Sequence, residues 1–173
     1  MKKTLWIIMT VALLGMVSCG KSRDQRIQEI KDYEKSLNLE STAINEETGN
    51  ALIDYYTRFV KDFPEDTLAP AYLFRAAEVA MNTGKTEQSI HLLDEVISKY
   101  PAFYDVPTAY FMKGYVYENS GNDKDKAVEA YSIFLEKYPE HELAKDAQIL
   151  IEVIDLTPEE LIERLIMQQG IEE

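Results

Sequence analysis

Ala69 to Pro101 reads APAYLFRAAEVAMNTGKTEQSIHLLDEVISKYP, and Val106 to Pro139 reads VPTAYFMKGYVYENSGNDKDKAVEAYSIFLEKYP. Laid over one another at an offset of 37, these stretches place Pro70 on Pro107, Phe74 on Phe111, Ala77 on Gly114, Asn82 on Asn119 and Gly84 on Gly121. After Gly121 one extra residue enters and the offset becomes 38. Ser89 then falls on Ala127, Leu93 on Tyr131, Val96 on Phe134, and Lys99-Tyr100-Pro101 on Lys137-Tyr138-Pro139. Small residues meet small ones and large apolar residues meet large ones, so what repeats is a packing pattern.

Each unit reads as two helices. From Ala69 to Asn82 the apolar residues Leu73, Phe74, Ala76, Ala77, Ala80 and Met81 recur at spacings near 3.6, the mark of a helix with a broad buried stripe. Gly84 supplies the permissive backbone where that helix stops. The second helix, Glu87 to Lys99, turns Ile90, Leu93, Val96 and Ile97 inward and closes at Tyr100-Pro101, because a residue before proline disfavours the helical region. Pro70 and Pro107 stand in first turns, where the missing N–H is harmless. One hairpin cannot bury its whole stripe, so the units must stack.

The pattern extends outward from this core. Leu52, Tyr56 and Phe59 ahead of Phe63-Pro64 repeat the second-helix spacing, making Ala43 to Asp62 a helix of an incomplete first unit. Its partner is Arg23 to Leu37, with Ile27, Ile30, Tyr33 and Leu37 along one side; Asn38 to Thr42 reads as a connection. Beyond Pro139, the residues Leu143, Ala147, Leu150, Ile151 and Ile154 mark another amphipathic helix. Thr157-Pro158-Glu159-Glu160 then starts a terminal helix, Pro158 to Gln169, expected to cap the last stripe. The expectation is an all-α solenoid of antiparallel hairpins with about seven helices. Its divisions are 23–64 (incomplete repeat), 65–101 and 102–139 (full repeats) and 140–173 (helix pair and cap).

These units resemble the tetratricopeptide-repeat family. The resemblance rests on a small pair in the first helix (Ala76-Ala77, Lys113-Gly114), a turn glycine (Gly84, Gly121), a small residue opening the second helix (Ser89, Ala127), and the closing proline. The segments Lys61-Asp62-Phe63-Pro64, Lys99-Tyr100-Pro101 and Lys137-Tyr138-Pro139 are similar, more narrowly, to repeat lipoproteins of the outer-membrane assembly and cell-division coordinator group. The family's usual tryptophan is replaced by Leu73 and Tyr110. In the family the first helices line a concave groove. The resemblance maps that partner-binding groove to Phe74, Glu78, Met81 and Asn82 in one unit, and to Thr108, Phe111, Tyr115, Glu118 and Asn119 in the next. Asn82 and Asn119 have a second reading, as caps ahead of the turn glycines. Phe74 and Phe111 stand where some relatives carry a lysine that clamps a carboxylate, which argues against an acidic C-terminal peptide as ligand.

The N-terminal residues carry a different signal. Lys2 and Lys3 precede an apolar run from Leu5 to Val17, the layout of a secretory leader and too short for the roughly 20 residues of a spanning helix. Met16-Val17-Ser18-Cys19 resembles the lipobox of bacterial lipoproteins, which implies cleavage after Ser18 and a covalent lipid on Cys19, the only cysteine, with residues 19–22 forming the anchored N-terminus. An ordinary secretory peptide with an incidental cysteine is the alternative. Removing residues 1–18 from 173 leaves 155, and losing Lys2 and Lys3 takes the net charge from −13 to −15. So acidic a chain, without clustered Lys and Arg, is unsuited to nucleic acid. Gly20 after the cysteine is not the aspartate associated with inner-membrane retention, so the family reading places the protein at the periplasmic face of an outer membrane.

No pattern of catalytic residues or metal ligands stands out. His91 and His141 lack metal-ligand spacing, and His91 is expected on an outward helix face. Asn122-Asp123-Lys124-Asp125 lacks the glycine and the twelfth acidic residue of a calcium loop, and reads better as a turn and cap. No metal, no cofactor beyond the lipid on Cys19 and no enzymatic activity are expected. The leading functional expectation is a scaffold holding a segment of another envelope protein. The alternatives are a carrier for a small apolar ligand or lipid in a helical cavity, and a structural subunit whose groove is filled by its own terminal helix.

Overall fold

A computed structural model of the chain describes residues 20–37 and 44–169. Among them are eight α-helices and no strand: α1 (Arg23–Ser36), α2 (Glu46–Asp62), α3 (Ala69–Asn82), α4 (Thr86–Lys99), α5 (Val106–Asn119), α6 (Lys124–Lys137), α7 (Ala144–Val153) and α8 (Pro158–Gln169). The expected count of seven was one short. The leader, Cys19 and the connection Asn38 to Thr42 lie outside the described residues.

From α1 to α7 each helix packs on the next, as an array of antiparallel hairpins requires. The apolar interior has two parts. The larger joins Ile30 of α1, Leu52, Tyr56 and Phe59 of α2, and the buried stripes of α3, α4 and α5. The smaller gathers Ala127, Tyr131 and Phe134 of α6 with Ala144, Ala147 and Ile154 around α7. Tyr110 and Tyr138 pack against both.

The three closing segments share one geometry. Phe63, Tyr100 and Tyr138 leave their helices at φ/ψ of −137/61, −127/56 and −136/56, each before a proline that bars the helical region. Each donates its N–H back to the carbonyl four residues earlier (Phe59, Val96, Phe134), at 2.8, 3.0 and 2.8 Å. Each carbonyl in turn accepts from the residue three ahead: Asp66, Phe103 and His141. One aromatic-proline corner, used three times, sets the path from every second helix into the next first helix.

The turns inside the two full hairpins differ, and the extra residue explains why. After α3, Gly84 has φ +72 and its N–H reaches the Met81 carbonyl, while the Lys85 N–H reaches Ala80 at 2.8 Å, a Schellman closure. After α5 the left-handed residue is Asn122, at φ 47, and not Gly121. Asparagine tolerates that region because its short polar side chain bonds locally. A Cβ on Gly121 would lie 3.1 Å from the Tyr117 carbonyl oxygen, so this glycine answers to space. Asp123 caps α6 by accepting from the Lys126 N–H at 3.1 Å.

Two further expectations need correction. Lys113 does not act as a small residue beside Gly114: it reaches from α5 to Asp94 of α4 at 2.6 Å and ties the two repeats. The terminal helix α8 does not cap the last stripe. Its start is as expected, with Thr157 Oγ1 accepting from the Glu160 N–H at 3.2 Å and the Glu160 carboxylate accepting from the Thr157 N–H at 2.8 Å. Yet Leu161, Ile162, Leu165, Ile166 and Met167 all stay exposed, and an ion pair from Arg164 to Glu152 links the helix to α7. The local signals of helix start were legible; they carry no information about what the finished helix lies against.

Candidate partner-binding face

The first helices α3 and α5 bring the nine groove residues onto neighbouring surfaces, at different depths. Phe74 is buried and meets Phe103 edge to face, with ring centroids 6.2 Å apart. Phe111 is half-buried between Tyr131 (5.4 Å) and Phe134 (5.7 Å) of α6. These two rings, at equivalent repeat positions, both join the aromatic packing. Met81 is half-buried against the larger core, and Thr108 is half-buried near the start of α5. Asn82, Tyr115 and Asn119 are exposed.

Glu78 and Glu118 are both half-buried, and each serves a different neighbour. Burial pushes the Glu78 carboxyl above the ordinary carboxylate range; Asp105 adds to the shift, and Arg75 opposes it. Glu118 accepts the Tyr131 hydroxyl at 2.8 Å. That phenol is pushed well above its ordinary value, first by burial and then by this hydrogen bond. The Asn119 amide donates to the Tyr115 carbonyl at 3.1 Å, back onto its own helix. The C-cap positions themselves belong to Thr83 and Ser120, one residue beyond each asparagine.

Close packing beneath this face depends on small residues. Ala76 and Ala77 are fully buried on α3, and the Ser89 hydroxyl of α4 donates to the Ala77 carbonyl at 3.0 Å. On α5 the matching position is Gly114. A Cβ there would lie 2.5 Å from Cδ1 and Cε1 of Tyr131, a ring with no exposed surface. The smaller residue of this hairpin is therefore matched to the larger ring.

Several residues of the face escaped the repeat argument. Tyr104, in the corner entering α5, is 79% exposed and packs against Phe103 with ring centroids 4.6 Å apart and planes tilted by 57°. Asp105 raises its hydroxyl above the ordinary value, with Arg75 opposing. Tyr104 matches Thr67 at the offset of 37, so the repeat comparison gave no apolar match to notice. A cavity of about 770 Å³ opens between the corners, lined among others by Pro64, Pro70, Tyr100, Pro101, Phe103 and Tyr104. The Tyr100 hydroxyl bridges it by donating to the Pro64 carbonyl at 2.9 Å. Outside α8, the large apolar side chains with substantial exposure among the described residues are Leu68, Tyr104, Tyr115 and Ile149. Every one lies on a first helix or at the entrance to one.

The histidines sit in structural surroundings. His91 is on the exposed side of α4 beside Glu95, and the His141 ring meets Phe134 edge to face while Nδ1 accepts the Leu143 N–H at 3.2 Å. Among the described residues no three His, Cys, Asp or Glu side chains are grouped to hold a metal ion, and no helix is long and apolar enough to cross a membrane.

No curated protein matches the chain. Residues 71–102 and 108–141, most of the two complete hairpins α3–α4 and α5–α6, match a tetratricopeptide-repeat family model.

Proposed function

We propose that this chain is a membrane-anchored protein-interaction scaffold that holds a segment of another envelope protein on the face formed by α3 and α5, and that it has no catalytic role. The observation that carries this reading is that, α8 aside, the exposed large apolar side chains keep to the first helices and their entrances. Leu68, Tyr104, Tyr115 and Ile149 all belong to the first-helix side, while α2, α4 and α6 present no large exposed apolar residue among the described residues. Apolar and aromatic residues kept exposed in a chain with net charge −13 are a feature of contact surfaces. The groove residues divide accordingly: Phe74, Met81, Thr108 and Phe111 shape the floor, and Glu78, Asn82, Tyr115, Glu118 and Asn119 supply the accessible polar and aromatic contacts. The tetratricopeptide match of residues 71–102 and 108–141 supports an interaction role, since such repeats typically bind protein segments.

The anchoring part of the proposal rests on the sequence of the leader and on Cys19, with a covalent lipid holding the protein at the periplasmic face of an outer membrane. Two lipid chains or more are needed for stable attachment. Cys19→Ser is expected to move the protein from the membrane fraction to the soluble fraction and to abolish palmitate labelling; retention of both would remove the lipid anchor from the proposal.

A photoreactive residue at Tyr115, with a control at His91 on the outward side, tests the groove in intact envelopes. Adducts with one protein at Tyr115 and none at His91 are expected. Capture at His91 alone would move the contact surface to the second helices and overturn the reading.

A further inference from the structure

The α3–α5 face carries an unbalanced charge once its ion pairs are counted. Helices α3 and α5 hold four charged side chains, Arg75, Glu78, Lys113 and Glu118, and Asp105 stands at the entrance to α5. Both cations pair away from the face: Arg75 approaches Glu34 of α1 at 3.4 Å, and Lys113 reaches Asp94 of α4 at 2.6 Å. Glu118 receives the hydroxyl of Tyr131, which is neutral. Glu78, Asp105 and Glu118 are thus left without an ion-pair partner among the described residues. Burial raises the Glu78 carboxyl and nearby Asp105 adds to the shift, while Arg75, one turn away, opposes it without cancelling it. A half-buried carboxylate in this state has lost water without gaining a cation. Beside Asp105 stands the Tyr104 ring, 79% exposed. An open aromatic face next to carboxylates suits an ammonium or a guanidinium.

We infer that the segment held on the α3–α5 face is basic, with a lysine or arginine side chain placed between Glu78 and Asp105 and against the Tyr104 ring. Its charge takes the place that Arg75 and Lys113 leave by pairing elsewhere, and its apolar neighbours cover the exposed side of Tyr115. An acidic segment would set like charges against three uncompensated carboxylates, a juxtaposition that costs affinity. A second copy of this chain, itself at net charge −13, meets the same penalty. The partner class rests on the α3–α5 face being the contact surface, so the test reads the two separately.

The test selects binders to the full chain, purified in mild detergent, from a displayed library of random peptides. Tyr115→Ala identifies the peptides that use the face. Those peptides are expected to be enriched in lysine or arginine. The isosteric pair Glu78→Gln and Asp105→Asn is expected to weaken them about tenfold at low salt, with a smaller effect at high salt. Glu87 and Glu129 are exposed on the second helices α4 and α6, so Glu87→Gln with Glu129→Gln makes the same change in net charge away from the face and is expected to leave binding unchanged. Peptides that need Tyr115 but carry no basic residue would overturn the inference and leave the groove reading standing. So would basic peptides that ignore the Glu78 and Asp105 changes, or that weaken equally with the control pair. Absence of any peptide that depends on Tyr115 would remove the groove reading and the inference with it.

Discussion

Gly114→Ala is a test of how the second full hairpin closes. The new Cβ would sit 2.5 Å from two atoms of the Tyr131 ring and 2.8 Å from a third, where ordinary contacts lie at 3.4 Å or more. The ring has little room to give: it is fully buried, Phe111 lies 5.4 Å away, and its hydroxyl is held by Glu118 at 2.8 Å. Alanine in a helix gains about 1 kcal/mol over glycine, and overpacking costs about 1–3 kcal/mol. Losing the hydroxyl bond adds about 1 kcal/mol, so the net expectation is destabilisation by about 1–3 kcal/mol. Tyr131→Leu alone leaves a void and is expected to cost about 2–3 kcal/mol. In that background Gly114→Ala should reverse sign and restore about 1 kcal/mol, because alanine and leucine are what the first full hairpin carries at the same places, Ala77 and Leu93, both fully buried. The coupling energy, about 2–4 kcal/mol, would be read from urea denaturation followed by circular dichroism on the wild type, both single variants and the double variant. Additive effects within about 0.5 kcal/mol, or a stabilised Gly114→Ala single variant, would refute the argument that ring and glycine share one space.

Three other outcomes follow from particular contacts. Gly84→Ala forces a side chain into φ +72 and should destabilise by about 1–2 kcal/mol in the same assay; a neutral effect would mean the Schellman turn relaxes freely. Ser89→Ala removes a buried hydroxyl that donates to the Ala77 carbonyl, and should cost no more than about 1.5 kcal/mol, since Ala127 serves at the matching position of the next hairpin; a larger loss would show that the carbonyl depends on this donor. Glu78 has its carboxyl pKa raised, chiefly by burial, so the native state binds the proton more tightly than the unfolded state and stability falls as pH rises through the shifted range. Glu78→Gln should therefore raise the urea midpoint at pH 7 and lose that advantage below about pH 4, where both states are protonated; an advantage independent of pH would refute the burial argument.

Most of the helical architecture was legible in the residues because it is written in local chemistry. The stripe of α3, the prolines in first turns, the aromatic-proline corners and the Thr157–Glu160 start signal each report on backbone within one or two turns, and each stands where the sequence placed it. The site was legible only in outline. Offset matching located the face through Phe74 and Phe111, but not how deep each ring lies, and it passed over Tyr104, whose counterpart is Thr67.

By itself, then, the sequence determined a repeating pair of amphipathic helices, because periodicity and turn chemistry act over a few residues. Only the tertiary structure decided which of two turn residues takes the left-handed backbone, that Lys113 bridges to Asp94, and that Gly114 makes room for Tyr131. It also decided that α8 leaves its apolar stripe uncovered. These outcomes depend on distances between segments far apart in the chain, and an amphipathic helix has the same sequence pattern whether or not something lies against its apolar side.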